Sequence, residues 1–225
     1  MPTIARPAPG GTAGLLACGA AAGPVFVVAV AAQTVGREGF DPRRHPISLL
    51  SRGELGWVQV GAFVVTGVLI VAYAVGARRV LRPGSVGSWA PPLIGLLGAG
   101  LVAAGVFVTD PGGLGFPPGD PGAGPSWQGT AHSVGTAVAL NSGLLACLVL
   151  ARRFALLGRR RWAAYSVATA AVVAALGWWP GPVGVSLRLA GVVVALSAWV
   201  CLTAVSLRRE LVAGAAGGAG TLTGP

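Results

Sequence analysis

"WVQVGAFVVTGVLIVAYAVGARR", residues 57–79, decides how this chain folds. It opens on a tryptophan, carries no charge until Arg78, and is long enough to cross a hydrocarbon core, which takes about 20 apolar residues in a helix. Inside a bilayer every backbone N–H and C=O must find a partner within the segment, so the run predicts an α-helix. The alternating pattern of a membrane barrel is absent from it. Outward from this run, five similar ones appear, giving spans at 13–35, 57–77, 90–109, 131–151, 162–179 and 186–207. At 54% hydrophobic and 10% charged, with mean hydropathy +0.75, the 225 residues are far from a soluble domain's balance. The expectation is an all-α, polytopic six-transmembrane-helix bundle with outer polar loops. It forms one integral membrane domain over residues 1–225, with 1–12 and 210–225 as flexible tails.

All 16 basic residues are arginine, and they cluster at the ends of the apolar runs. A net charge of +10 is compatible with nucleic acid. This placement instead fits the rule that arginine-rich loops stay cytoplasmic, and no nucleic-acid partner is expected. Arg6, Arg78, Arg79, Arg82, Arg152, Arg153, Arg159, Arg160, Arg161, Arg208 and Arg209 fall on one side; Arg37, Arg43, Arg44, Arg52 and Arg188 fall on the other. Both termini are therefore expected in the cytoplasm of a cell whose plasma membrane holds the protein. Aromatic belts agree, with Trp57, Trp127, Trp178 and Trp179 at the outer interface and Tyr73, Trp89, Trp162 and Tyr165 at the inner one. The run from Leu15 to Val35 is too long for a signal-peptide core and reads as a retained helix. Cys18, Cys147 and Cys201 each lie inside an apolar run, without metal-type spacing, and read as small buried hydrophobes.

Helix packing is also written in the pattern. Ala131, Gly135, Ala139, Gly143, Cys147 and Ala151 make a ridge of small side chains on the fourth span, and the third carries Gly95, Gly98, Gly100 and Gly105. Small residues let helix backbones approach where lipid offers no hydrophobic drive.

One stretch does not fit a purely apolar reading: "GFDPRRHPISLLSRGELGW", residues 39–57. Arg37, Glu38, Asp41, Arg43, Arg44, Arg52 and Glu54 bring seven of the chain's 22 charges to it or beside it, with His45 among them. It lies on the outer side, where arginine is normally sparse. Three further features meet it there: Asp110 in "GVFVTDP", the Gly/Pro-rich loop 110–127, and His132 in "WQGTAHS". Asp110 at a helix C-terminus faces the negative end of the dipole and calls for a cation from Arg43, Arg44, Arg52 or Arg188. His132, at a helix N-terminus, is expected as a neutral imidazole. "PISLLSRG" reads as one or two helical turns. The loop 110–127 reads equally well as a shaped lid or a plain connection.

This cluster supports three readings. It is a structural clasp, with Asp110 paired and the loop charges self-neutralised. It recognises a lipid headgroup or small anion through Arg43, Arg44 and Arg52, with His45 and Ser48 nearby. Or it is chemical: a membrane hydrolase using Asp110 and His132, with a histidine activating Ser48, Ser51 or water, or a metal held by Asp41, His45, Asp110 and His132. Transport is disfavoured because no charge lies in mid-membrane. Two haem-ligating histidines across a bundle do not fit a loop His45 and a helix-end His132, and no HExxH, GxSxG, P-loop or GxGxxG pattern occurs. The sequence names no cofactor and no oligomeric state.

"FDPRRHPISLLSRGELGW", then "GVFVTDP" with "GFPPG", then "GTAHS" resemble the six-helix bacterial membrane proteins grouped as family 998 of the domains of unknown function. The resemblance runs from about residue 13 to 207. It implies the fold and the membrane location and carries no catalytic residue. The order "IS", "GVF" and a histidine opening the fourth helix is more distantly similar to Frag1/DRAM/Sfk1-type membrane proteins, which implies a link to lipid handling.

Overall fold

A computed structural model describes residues 9–81, 85–120, 122, 124–181 and 184–220. Arg6, Arg82 and the outermost parts of the two tails, 1–8 and 221–225, lie outside the described residues. The apolar runs are helices: α1 (Pro9–Gly36), α2 (Gly56–Val80), α3 (Ser85–Val106), α4 (Trp127–Leu156), α5 (Arg160–Gly177) and α6 (Val185–Gly220). A short 3-10 helix, Ile47–Ser51, sits between α1 and α2, and no strand occurs among the described residues. Five of the helices (α1, α2, α3, α4 and α6) are long and apolar enough to cross a membrane.

Each helix packs against the next in the chain, and α6 returns against α1. The inward faces bury Leu16, Ile94, Phe154 and Trp199, whereas valines in mid-helix face outward, Val28 at 67% and Val134 at 58% exposed. Such outward apolar residues recur on every long helix, which is the pattern of a protein whose solvent is lipid. This is a multi-pass membrane protein.

Glycine sets the closest approaches. A Cβ on Gly98 would lie 2.6 Å from the Gly67 carbonyl oxygen, and one on Gly100 would lie 2.5 Å from that of Gly135. The small-residue ridge of α4 thus meets α3 as its spacing predicts, with Gly135, Ala139, Gly143, Cys147 and Ala151 buried. Gly95 plays no such part: the nearest atom to its missing Cβ is 3.8 Å away.

Several boundaries differ from the expectation. Helix α3 stops at Val106 rather than 109, because its last carbonyls are taken by a side chain of α4 described below. Helix α1 begins at Pro9, a residue suited to a first helical position, and α6 continues to Gly220, both inside the segments expected as tails. Tyr73 is not an interfacial anchor. It is fully buried, and its hydroxyl donates to Thr203 Oγ1 at 3.1 Å.

Candidate ligand cavity at the loop end of the helices

The segments 37–55 and 107–120 lie together at one end of the helices and share a small core of their own, Phe40, Leu49, Leu50 and Phe116. His45 is buried between the Phe40 and Phe116 rings, at centroid distances of 5.6 and 5.5 Å. Its Nδ1 accepts from the Asp41 N–H at 2.9 Å, so Nε2 carries the proton and donates to the Leu114 carbonyl at 3.1 Å. Both ring nitrogens are thereby occupied, and His45 ties one loop to the other.

The arginines divide into fixed and free. Arg37 donates to the Leu50 and Arg52 carbonyls at 2.5 and 2.6 Å and lies over the Phe116 ring. It thereby satisfies oxygens that the short 3-10 helix leaves unpaired. Arg52 forms an ion pair with Asp120 at 2.9 Å and donates to the Thr109 carbonyl at 3.1 Å. The 39–57 stretch is therefore not self-neutralising. Arg37 beside it reaches its backbone and Arg52 reaches the second loop, while Glu38 and Glu54 make no ion pair among the described residues. Arg43 and Arg44 are exposed, and their guanidinium groups have no hydrogen-bond partner among the described residues.

Asp110 does not meet an arginine directly. Its carboxylate accepts from the Ser126 hydroxyl at 2.5 Å and the Ser126 N–H at 3.0 Å, and the Ser126 hydroxyl accepts in turn from Gly129 N–H at 3.0 Å. Ser126 is the N-cap of α4, so Asp110 orients the cap and places its charge at the positive end of that helix dipole. These two bonds hold the Asp110 carboxyl below its ordinary range, and Arg52 and His132 add to the effect. The fit is tight: a Cβ on Gly129 would lie 2.0 Å from Asp110 Oδ2.

His132 makes the reciprocal connection. It is buried on α4, and its Nδ1 donates to the Ala104 and Phe107 carbonyls at 2.8 and 3.0 Å. Asp110, shortly after α3, orients the cap of α4, and His132 in the second turn of α4 takes carbonyls at the end of α3. Sequence pattern gave no sign of this exchange, because it spans a loop without periodicity.

With Nδ1 used in this way, Nε2 of His132 is the ring nitrogen without a partner among the described residues. His132 also lines a cavity of about 330 Å³ between α4, α5, the start of α6 and the 3-10 helix. Ser48, Thr109, Ser133, Thr136 and Asn141 supply its polar lining, and Leu140, Val173, Leu189 and Trp178 supply the apolar part. Pro46 and Ser48 bring the 39–57 loop onto this cavity, just after Arg43 and Arg44 in the chain. Ser51 does not join it by hydrogen bonding, since its hydroxyl donates back to the Ser48 carbonyl at 2.7 Å. Asp41, His45, Asp110 and His132 do not converge: no group of three or more His, Cys, Asp or Glu that could hold a metal occurs among the described residues.

Four tryptophans, Trp57, Trp127, Trp178 and Trp179, are each at least 65% exposed at this end. Amphipathic rings in that position suit the boundary between lipid and water.

Residues 20–206 match the model of a family described as protein of unknown function (DUF998). No curated protein and no solved structure matches the chain.

Proposed function

The chain belongs to the DUF998 family of proteins of unknown function, so no activity follows from the name, and we propose from its geometry that it binds a membrane lipid by its headgroup. The observation that carries this reading is the cavity of about 330 Å³ whose lining mixes polar and apolar side chains. A wholly polar solute would leave Leu140, Leu189 and Trp178 wet, and a hydrocarbon would leave the Thr136 hydroxyl, the Asn141 Oδ1 and the His132 Nε2 without partners. An amphiphile satisfies both kinds of lining. Arg43 and Arg44, unpaired on the adjoining loop, supply the forks that meet phosphate oxygens at the mouth. Asp110, His45 and Arg52 serve here as the clasp that shapes the cavity's rim rather than as ligands.

The same reading includes six crossings in one membrane unit, with both termini in the cytoplasm and the cavity at the outer face. Helix α5 supports it. Arg153 and Arg159 hold Glu210 where α4 turns into α5, and Ser186 at the start of α6 donates to the Arg44 carbonyl. Between those points α5 runs from one end of the helices to the other.

The test is native mass spectrometry of protein released from mild detergent. Wild type is expected to retain a phospholipid that Arg43→Ala/Arg44→Ala loses and that Ala137→Phe, which fills the cavity, excludes. Equal retention in all three sinks the reading. A hydrolytic role is the second reading, favoured because Ser48 and the unpaired Nε2 of His132 line one cavity. It requires that the retained lipid be cleaved with time, and that Ser48→Ala stop cleavage while leaving the lipid bound.

A further inference from the structure

The opposite end of the helices carries a second site. Between residues 152 and 161 the end of α4 and the start of α5 present five arginines, and α6 adds Arg208 and Arg209. Glu210 is the carboxylate among them, and both of its oxygens are engaged, one by Arg153 at 2.8 Å and the other by Arg159. Arg159 is further fixed by a 2.8 Å bond to the Ser206 hydroxyl and by the Phe154 and Trp162 rings, at 5.0 and 5.5 Å. Arg153 Nη1 is buried without a partner among the described residues. One acid thus anchors two of the arginines and leaves Arg152, Arg160, Arg161, Arg208 and Arg209 exposed and uncompensated.

A groove of about 630 Å³ opens beside this lock, between α5 and α6. Arg159, Arg209, Ser206 and Glu210 line its polar part, and Leu157, Trp162, Leu202 and Val205 line the rest. Leu157 is 55% and Leu202 is 44% exposed, so the apolar floor is open to whatever surrounds the helices.

We propose that this groove holds an acidic phospholipid of the adjoining leaflet, its phosphate on Arg209 and Arg159 and its acyl chain along Leu202 and Val205. Two features select that occupant. The excess of arginine over carboxylate favours a headgroup with net negative charge over a zwitterionic one, whose own cation would meet Arg209. The exposed leucines favour a lipid over free phosphate, which would leave them uncovered. Arg159 is prepositioned by its lock and so loses little side-chain freedom on binding, while the exposed Arg209 supplies the second donor set. The site is separate from the loop-end cavity, and either can fail without the other.

The experiment uses the full-length chain in nanodiscs of mixed phosphatidylcholine and phosphatidylglycerol, then counts lipids retained by native mass spectrometry. Wild type is expected to keep phosphatidylglycerol in preference to phosphatidylcholine. Arg209→Gln, an exposed and structurally mild change, should cut that preference by about fivefold, the factor one arginine near an anionic surface supplies. Arg78→Gln, basic at the same end but outside the groove, and the loop-end variant Arg43→Ala/Arg44→Ala should leave it unchanged. Equal loss in Arg209→Gln and Arg78→Gln would reduce the effect to diffuse surface charge and overturn the site. So would an absence of preference in wild type, or displacement of the lipid by inorganic phosphate.

Discussion

Asp110 and His132 show how much a single residue's role depends on what lies across a loop from it. Each sits in its own helix's neighbourhood in sequence, yet each satisfies the end of the other's helix in space. The charge of Asp110 is favoured because the Ser126 hydroxyl and N–H point at it, and because the N-terminus of α4 lies behind them. Its folded-state pKa is lowered from an ordinary 3.8, so the fold prefers the ionised form. That stabilisation is present above about pH 3.8 and is lost as the pH falls through the lower, folded value. Thermal melts of wild type and Asp110→Asn in detergent should therefore differ at pH 7 and converge as the pH is taken below that range. Removing the cap itself, in Ser126→Ala, should cost about 1 kcal/mol at neutral pH. A pH-independent gap between wild type and Asp110→Asn would mean that hydrogen-bond geometry, not charge, is what matters. From sequence, Asp110 visibly needed compensation, and arginine was the natural candidate. The partner proved to be a serine 16 residues later, which no periodicity links to it.

At the scale of the element, apolar run length was sufficient to find the helices, since each run must close its own hydrogen bonds in lipid. Their ends were less visible. Hydropathy marks where lipid stops, not where helix stops, so α6 runs on past the last apolar residues, and α3 ends early under His132. Packing faces were legible where small residues recur every four positions, but not which individual glycines matter. The α3–α4 contact provides the test. Gly100→Ala would press a methyl group to 2.5 Å from the Gly135 oxygen and should destabilise by about 1–3 kcal/mol. Gly95→Ala meets its nearest neighbour at 3.8 Å and should be neutral or slightly stabilising through its gain in helix propensity. Unfolding of the two variants side by side in one detergent separates close packing from any general intolerance of α3. Similar losses at both positions would contradict the glycine-mediated contact.

For the whole molecule, the open quantity is the parity of crossings, and α5 decides it. With five spans the termini lie on opposite sides of the membrane; with six they share one. Helix α5 is the least apolar candidate: it opens on Arg160 and Arg161, and its buried Ser166 accepts from the Trp199 indole N–H at 3.1 Å. That polar group is satisfied inside the protein, so a low hydropathy is compatible with a crossing. At about 1.5 Å per residue its 18 residues reach about 27 Å, close to a hydrocarbon core of about 30 Å. The arginine asymmetry then predicts where the termini lie, because α4, α5 and α6 all turn or end on the basic side. Single cysteines introduced at Arg43 and at Arg209, in a chain whose native cysteines are replaced, make this measurable with a membrane-impermeant thiol reagent on intact cells. Arg43→Cys should label from outside and Arg209→Cys only after permeabilisation, because a sixth crossing returns the chain to its starting side. Labelling of both from outside would overturn the six crossings, because Ser186 holds the start of α6 at the Arg44 loop while Arg209 lies far along the same helix.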